Sequence, residues 1–310
     1  MTDLVILIKS YRGDLEIAHR LLDSLTRYNS DSIPTYLVVP QSDIDSFRSI
    51  AGNSVEILAE EQLQEHLVSE PFGGMTTGYI NQQIVKLSFW ELGLAANYLP
   101  LDSDVEIIRP FTKSEFLAED GFPYSVLVQD KELLSDSHYY KEQWQTRETW
   151  INTIAEELGY SGPWPVRTCH GHTVLNASVL KDLEEQVLEV RGWTYADLLR
   201  RSPYEFTWYN VFLQGGSSIP IRTCEPWIKT FHTEAEHLAF LADSGNLADL
   251  GRAYIGLIVQ SNFARSKDLP STSATKEEFL SKYLSYGEYL RLGWAKARDT
   301  WTRRSRRSSR

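Results

Sequence analysis

Hydrophobic and polar positions in the N-terminal part of the chain follow each other in the order expected of alternating strands and helices. Continuous aliphatic runs typical of buried strands occur at residues 4–10 (LVILIKS), 33–40 (IPTYLVVP) and 55–58 (VEIL). Between the first two runs, Ile17, Leu21 and Leu25 recur at helical spacing. This alternation favours βαβ units and a mostly parallel sheet.

The next helix and strand carry polar residues that packing alone does not explain. Ile80, Ile84 and Leu87 give GYINQQIVKL an apolar helical face, and NYLPLDSDVEII is a predicted buried strand that ends at Asp102 and Asp104. Such an acidic pair also occurs in surface turns, but the hydrophobic strand before it and IIRPF after it favour a ligand site. Two carboxylates at a strand end suit Mn²⁺ or Mg²⁺, which bridges a protein to a diphosphate.

Composition narrows the class of protein. The 310 residues carry a formal net charge of −11, which argues against a nucleic-acid partner, since such proteins are usually basic. The two cysteines, Cys169 and Cys224, form no disulfide framework. The N-terminal apolar run lacks the features of a signal peptide, and no window reaches the roughly 18 apolar residues of a membrane span. We therefore expect a cytoplasmic protein.

Several segments together resemble a known family: VILIKSYRGDLEIAHRLLDSL, IPTYLVVPQSD, GYINQQIVKL, YLPLDSDVEIIRPF and IVQSNFA. They are similar to a bacterial family of GT-A-like proteins, catalogued mainly as a domain of unknown function and related to nucleotide-sugar glycosyltransferases. The resemblance covers most of residues 3–265. It implies an α/β fold with a GT-A-like, Rossmann-type, mostly parallel sheet flanked by helices. Residues 1–112 would form the nucleotide-binding half and 113–265 the acceptor half, followed by a helical C-terminal extension with a basic tail at 266–310.

The resemblance also implies roles for individual residues on the nucleotide side. Asp104 would bind the metal directly, and Asp102 would contact the ribose or the donor sugar, with the metal as a further route. The other implied donor-binding residues are Lys9, Ser10, Tyr11 and Arg12 at the first strand end, Gln82, Gln83 and Lys86 on the helix, and Ser103. Lys86 would face the diphosphate; its alternative is a solvated lysine on an amphipathic helix.

Three residues further along have competing interpretations. His232 is a candidate third metal ligand or a structural histidine. Glu205 is a candidate catalytic base for the acceptor hydroxyl, or the acid of a capping box that Ser202 begins. His172 is expected to line the acceptor pocket; a zinc site with Cys169 and His170 would lack a fourth ligand nearby in sequence.

The basic C-terminus has two interpretations. Aromatic and leucine residues recur at helical spacing before TWTRRSRRSSR. The segment is either a peripheral contact to anionic lipid at the inner face of the membrane, or a docked helix with a solubilising tail.

Three functions remain open from the sequence. The first is a metal-dependent glycosyltransferase that moves a sugar from a nucleotide-sugar donor to an acceptor hydroxyl, in surface polysaccharide or glycoconjugate synthesis. The acceptor would be a carbohydrate, a lipid-linked molecule or a small molecule. The second is a haloacid-dehalogenase-like phosphatase, although that class places its acidic motif on the first strand. The third is a non-catalytic binding module with a GT-A fold.

Overall fold

The computed structural model describes residues 2–128, 145–162, 172–216, 218–231, 237, 240 and 246–259. The chain forms two compact units. The first comprises Met1–Lys229 with Ala253–Leu257, and the second comprises Thr230–Arg252 with Ile258–Arg310. All candidate site residues within the described ranges belong to the first unit.

The main sheet of the first unit has five strands: β1 Thr2–Lys9, β2 Thr35–Val39, β3 Val55–Ala59, β4 Ala95–Asp102 and β7 Leu175–Asn176. Their order in the sheet is β3-β2-β1-β4-β7. The first four strands are mutually parallel, and β7 runs antiparallel to β4. The predicted strand–helix alternation and mostly parallel sheet are therefore confirmed.

The helices surrounding this sheet are α1 Leu15–Tyr28, α2 Ile44–Arg48, α3 Thr77–Ser88, α4 Gln145–Glu157, α5 Ala177–Leu183, α6 Tyr195–Arg201 and α7 Glu205–Gly216. The predicted apolar face of α1 is buried, with Leu21 and Leu22 at most 2% exposed. Helix α3 packs on β1, and α5 packs on β4. Burial of these faces removes apolar surface from water, which is the dominant favourable contribution to folding.

The remaining strands are short: β5 Val105–Ile107, β6 Tyr124–Val126, β8 Arg222–Cys224, β9 Ile228–Phe231 and β10 Gly256–Val259, and a last helix, α8, spans Leu247–Leu250. Strands β6 and β8 pair in parallel. The apolar pattern of residues 254–263 (YIGLIVQSNF) is compatible with either a strand or a helix, and its described part contains the strand β10. Residues 266–310, with the predicted C-terminal helix and basic tail, lie outside the described residues.

Two local features bring the site residues together. Thr76 caps α3 by accepting a hydrogen bond from the Tyr79 backbone N–H, and the Tyr98 hydroxyl on β4 donates to the Lys86 carbonyl at 2.6 Å. The second bond ties the last turn of α3 to the middle of β4. No helix in the described part of the chain is long and apolar enough to cross a membrane.

Candidate active site

The candidate site lies where the sheet order changes direction. Strand β1 has β2 on one side and β4 on the other, so the chain leaves the carboxyl ends of β1 and β4 in opposite directions. A crevice at such a switch point is where open α/β sheets bind ligands. Lys9 and Asp102 are register partners there, and the Ser103 hydroxyl donates to the Ser10 hydroxyl oxygen at 3.0 Å.

A buried lysine joins two carboxylates from distant parts of the chain. Lys86 Nζ donates to Asp102 Oδ1 and to Glu205 Oε1, each at 2.7 Å. The side chains of Lys86 and Glu205 are 4% and 8% exposed, and that of Asp102 is 28% exposed. Lys86 is therefore not a solvated lysine, because both of its ion pairs are withdrawn from bulk water.

Two glutamines from the same helix complete the contacts of these carboxylates. Gln82 Nε2 donates to Asp102 Oδ1 at 2.8 Å. With its amide nitrogen turned towards α7, Gln83 donates to Glu205 Oε2 at 3.1 Å and to the Pro203 carbonyl at 2.8 Å. The spacing of Gln82, Gln83 and Lys86 presents all three to one side of α3. That helix thus fixes the orientation of both acids.

Opposite charges favour the ionised forms of Lys86 and Asp102. Burial by itself would lower the pKa of Lys86, but the charges and hydrogen bonds of Asp102 and Glu205 outweigh it and raise that pKa. Burial would raise the pKa of the Asp102 carboxyl, but Lys86, His172 and the Gln82 hydrogen bond hold it below 3.8. Lys86 and Asp102 therefore form an ion pair, and Glu205 joins it as the third member of a triad by accepting a hydrogen bond from Lys86.

His172 and Phe206 stand beside this triad. His172 Nε2 lies 3.9 Å from Asp102 Oδ2, on the opposite oxygen from Lys86. The backbone of His172 has a φ of +65°, a left-handed conformation that is rare for a residue with a side chain and is concentrated at functional sites. The Phe206 ring centroid is 4.9 Å from Lys86 Nζ and 6.2 Å from the His172 ring. The structure thus brings His172 close to Asp102.

The residues predicted at the first strand end have well-defined partners. Lys9 Nζ lies 2.7 Å from Glu60 Oε2, and the backbone N–H of Arg12 donates to Asp43 Oδ2 at 2.7 Å. Tyr11 is 51% exposed, and its ring covers Gly13, where a Cβ would lie 2.3 Å from it. The turn after β1 therefore presents an aromatic ring to solvent.

Asp104 lies in the turn between β4 and β5 and is partly buried. His232 lies outside the described residues, so its predicted role stays a prediction. In the described ranges, three metal-ligating side chains converge at Glu65, His66 and Glu91 rather than at the strand end. The carboxylates of Asp102 and Asp104 nevertheless suit a hard cation chemically, and Asp102 Oδ2 is not among the oxygens bonded to Lys86 or Gln82.

The expected capping box does not form. Glu205 is the first residue of α7, but its carboxylate is bonded to Lys86 and Gln83, and the buried Ser202 hydroxyl has no hydrogen-bond partner within the described part of the chain. The S-x-x-E signature was therefore misleading. Charge attraction to the buried Lys86 outweighs a bond to the neighbouring backbone N–H.

Three neighbours of the site were not predicted from the sequence: Asp43, Glu60 and Phe206. Glu60 begins the helical turn directly after β3, so its place beyond a parallel strand end was a usable signal. Phe206 directly follows Glu205, a candidate already chosen. The contact of Asp43 with Arg12 spans 31 residues that no local pattern connects.

The fold and the strand-end position of the site define this chain as an α/β protein with a GT-A-like fold, built on a mostly parallel sheet flanked by helices. More particularly, residues 3–244 match the model of a family of unknown function, DUF6492, and the chain belongs to that family. Among curated proteins, none matches the chain.

Solved structures give the basis for the fold assignment. An active-site mutant of LgtC matches with a TM-score of 0.50 and 12% identity, covering 89% of this chain and 94% of that one. The galactosyltransferase LgtC in complex with donor and acceptor sugar analogs matches at 0.48 and 11%, covering 89% and 94%. Mouse xyloside xylosyltransferase 1, apo form, matches at 0.47 and 13%, covering 84% and 98%. At such identities the first match shows a shared fold alone, and the two lower scores add nothing to it.

Proposed function

We propose that this protein is a metal-dependent glycosyltransferase of the GT-A type, which moves a sugar from a nucleotide-sugar donor to an acceptor hydroxyl. The observation that carries the proposal is the buried ion-pair triad of Lys86, Asp102 and Glu205 at the switch point of the sheet. Buried charges cost free energy unless they are paired, and a buried lysine paired with two acids beside a strand end is typical of a functional site. The GT-A-like fold supports the same interpretation.

In the proposed reaction, the acceptor oxygen forms a bond to the anomeric carbon of the donor while the bond from that carbon to the diphosphate breaks. Glu205 takes the proton of the acceptor hydroxyl. Lys86 and Gln83 hold the Glu205 carboxylate in one orientation, and Asp102, 28% exposed, accepts hydrogen bonds from sugar hydroxyls. His172, beside Asp102, would contact the acceptor.

The residues that would hold Mn²⁺ or Mg²⁺ are Asp104 and Asp102, through its Oδ2 oxygen, while the role of His232, outside the described residues, stays a prediction. Such an ion, when bound, neutralises charge on the leaving diphosphate. Ser10, Tyr11 and Arg12 would hold the nucleoside, because they follow β1 at the same end of the sheet as Ser103.

The acceptor would be a carbohydrate, a lipid-linked molecule or a small molecule, and the protein would act in the cytoplasm. A weak peripheral contact of the basic tail with anionic lipid stays a prediction, since the tail lies outside the described residues.

Thermal denaturation with a panel of nucleoside diphosphates and nucleotide sugars, in Mn²⁺, Mg²⁺ or EDTA, tests the proposal. A ligand at about a hundredfold above its Kd should raise Tm by roughly 5 °C in metal and much less in EDTA. Asp104→Asn should abolish the metal-dependent part of the shift. Asp45→Asn, at a side chain 89% exposed on α2, is the matched control and should leave it intact. The absence of any nucleotide response in any metal would overturn the proposal.

Release of free sugar from a stabilising donor then separates an enzyme from a binding module. A protein that binds the donor in metal but never cleaves it, with or without a panel of acceptors, would be the binding module. The phosphatase alternative loses support because the acidic pair ends β4 and not the first strand.

A further inference from the structure

A second group of ionisable side chains lies away from the strand end. It comprises Glu65, His66 and Glu91, and we call it the Glu-His-Glu cluster. One ligand atom from each residue lies within 4.8 Å of the others. His66 Nε2 is 2.6 Å from Glu91 Oε2 and 3.9 Å from Glu65 Oε1. All three atoms therefore converge on one point, and the proposed transferase reaction uses none of them.

Tyr195 contacts two residues of this cluster, Glu91 and His66. The Tyr195 hydroxyl donates to Glu91 Oε1 at 3.0 Å and accepts from Trp90 Nε1 at 3.2 Å. The Tyr195 ring also meets the His66 ring edge-on, with centroids 5.0 Å apart. Outer contacts of this kind orient metal ligands and are typical of built metal sites. They leave Glu91 Oε2 and His66 Nε2 directed at each other.

The local charge favours a cation. Glu184 begins a π-helical segment, Glu184–Glu189, and adds another carboxylate near the cluster. Burial and then the charge of Glu91 raise the pKa of the Glu184 carboxyl, while His66 lowers it. The charges of Glu65, Glu91 and Glu184 all act on the single imidazole of His66, and a divalent ion would relieve the repulsion among these carboxylates. π-Helical turns are also frequent at functional sites.

We propose that the Glu-His-Glu cluster is a second metal site, which takes a divalent cation of the zinc class through His66, Glu91 and Glu65. An imidazole nitrogen combined with carboxylate oxygens suits Zn²⁺ better than Mg²⁺ or Ca²⁺, which prefer oxygen ligands throughout. This site differs in ligand chemistry from the oxygen-rich strand end at Asp102 and Asp104.

The geometry requires two adjustments. Ligands on a tetrahedral zinc ion lie about 3.3 Å apart, because each is about 2.0–2.1 Å from the metal. The 2.6 Å hydrogen bond between His66 and Glu91 must therefore open by about 0.7 Å and lose its proton, and Glu65 Oε1, which is 3.9 Å from His66 Nε2, must move closer. Glu65 is the exposed ligand of the cluster, with 79% of its side chain accessible. Because the metal displaces the proton between His66 and Glu91, metal binding at this cluster should weaken as pH falls.

Zinc titration of the untagged full-length chain tests this proposal, with a chromophoric chelator as competitor. The wild type should bind one zinc ion that His66→Gln and Glu91→Gln each weaken by at least about tenfold. The matched control is His19→Gln, since His19 also lies near a carboxylate, 3.5 Å from Asp23 Oδ1, but on an exposed helix face. It should leave the affinity unchanged, as should Asp104→Asn.

Three results would overturn the proposal. One is the absence of stoichiometric zinc binding. Another is binding that survives both His66→Gln and Glu91→Gln, which would place the ion elsewhere on the chain. The third is loss of binding in Asp104→Asn, which would assign the ion to the strand end. Cobalt substitution gives a second readout, because the visible spectrum of bound Co²⁺ should change in His66→Gln even where affinity falls only modestly.

Discussion

One helical segment supplies residues to both ionic groups of this molecule, yet the two groups differ in kind. Lys86 on α3 joins Asp102 and Glu205, whereas Glu91, on the 3-10 turn Phe89–Leu92 that continues α3, pairs with His66. The cation of the first group is a lysine, whose charge is permanent at physiological pH. The cation of the second is an imidazole, whose charge is not.

The two ionic groups also differ in how far their cations are buried. The Lys86 side chain is 4% exposed and that of His66 is 18% exposed. A paired charge that is fully desolvated contributes little net free energy but is costly to leave unpaired, while a partly solvated pair costs less to break. The triad should therefore be sensitive to removal of a partner, and the Glu-His-Glu cluster should be sensitive to pH.

The largest expected effect is that of Lys86→Met. It leaves two carboxylates without the buried cation that joins them, and we expect a loss of about 3–5 kcal/mol in the free energy of unfolding. Denaturant unfolding at neutral pH measures this. Lys86→Arg should recover part of the loss at most, because the planar guanidinium does not reproduce the two contacts of the ammonium.

The matched control for that change is Lys113→Met. Lys113 pairs with Asp3 at 3.0 Å, but the two side chains are 47% and 69% exposed. Its removal should cost at most about 1 kcal/mol. Equal losses in both variants would show that burial does not govern the strength of these ion pairs, and the comparison would fail.

Asp102→Asn should have the next largest effect, and its sign follows from the depressed pKa of the carboxyl. A group whose pKa is lowered in the folded state stabilises it above the ordinary value of 3.8, and this stabilisation is lost as pH falls through the folded value. At neutral pH we expect a cost of about 1.5–3 kcal/mol. The variant should also lose less stability than the wild type between about pH 5 and pH 2.

Acid titration of the unfolding free energy checks this prediction, with Asp45→Asn as the exposed control. A variant that loses stability in acid as steeply as the wild type would assign that loss to other carboxylates. Such a result would show that the Asp102 carboxylate does not supply the acid-sensitive stability of the triad.

Local patterns in the sequence were sufficient to predict the first strands and the edge of the sheet where the site lies. The aliphatic runs fixed β1, β2 and β3, and the strand-end position of Asp102 indicated the ligand edge. The family resemblance implied Gln82, Gln83 and Lys86 as one group, and Glu205 and His172 were separate candidates. The structure brings the other four around the ion pair of Lys86 and Asp102. Their roles stay predictions.

Contacts across long stretches of chain could not be predicted. Lys86 and Glu205 are 119 residues apart, and the S-x-x-E pattern around Glu205 indicated a local capping bond instead. His66 and Glu91 are 25 residues apart and belong to no motif. Pairing of this kind depends on how the helices pack, and local periodicity carries no information on that packing.

Tyr195→Phe tests the support of the Glu-His-Glu cluster. It removes the acceptor of Trp90 Nε1 and a donor to Glu91, so a partly buried indole N–H loses its partner. We expect a cost of about 1–2 kcal/mol in the free energy of unfolding, smaller than for the triad. Zinc affinity should also fall in this variant. An unchanged stability would mean that water replaces the hydroxyl and that the Tyr195 hydrogen bond does not orient Glu91.

The smallest expected effect is the pH dependence of His66. The hydrogen bond and charge of Glu91 outweigh burial and raise the pKa of His66 above 6.5. A raised pKa contributes stability that is fully present below 6.5 and is lost as pH rises through the folded value. Because the pair is partly solvated, the contribution should be about 0.5–1 kcal/mol. Wild type and His66→Gln, unfolded in EDTA, should therefore differ most near pH 6 and converge near about pH 9. The unfolding free energies of the wild type and Lys86→Met should not converge over this range, since lysine keeps its charge there. A parallel pH response of the two variants would contradict the distinction between a permanent and a titrating cation.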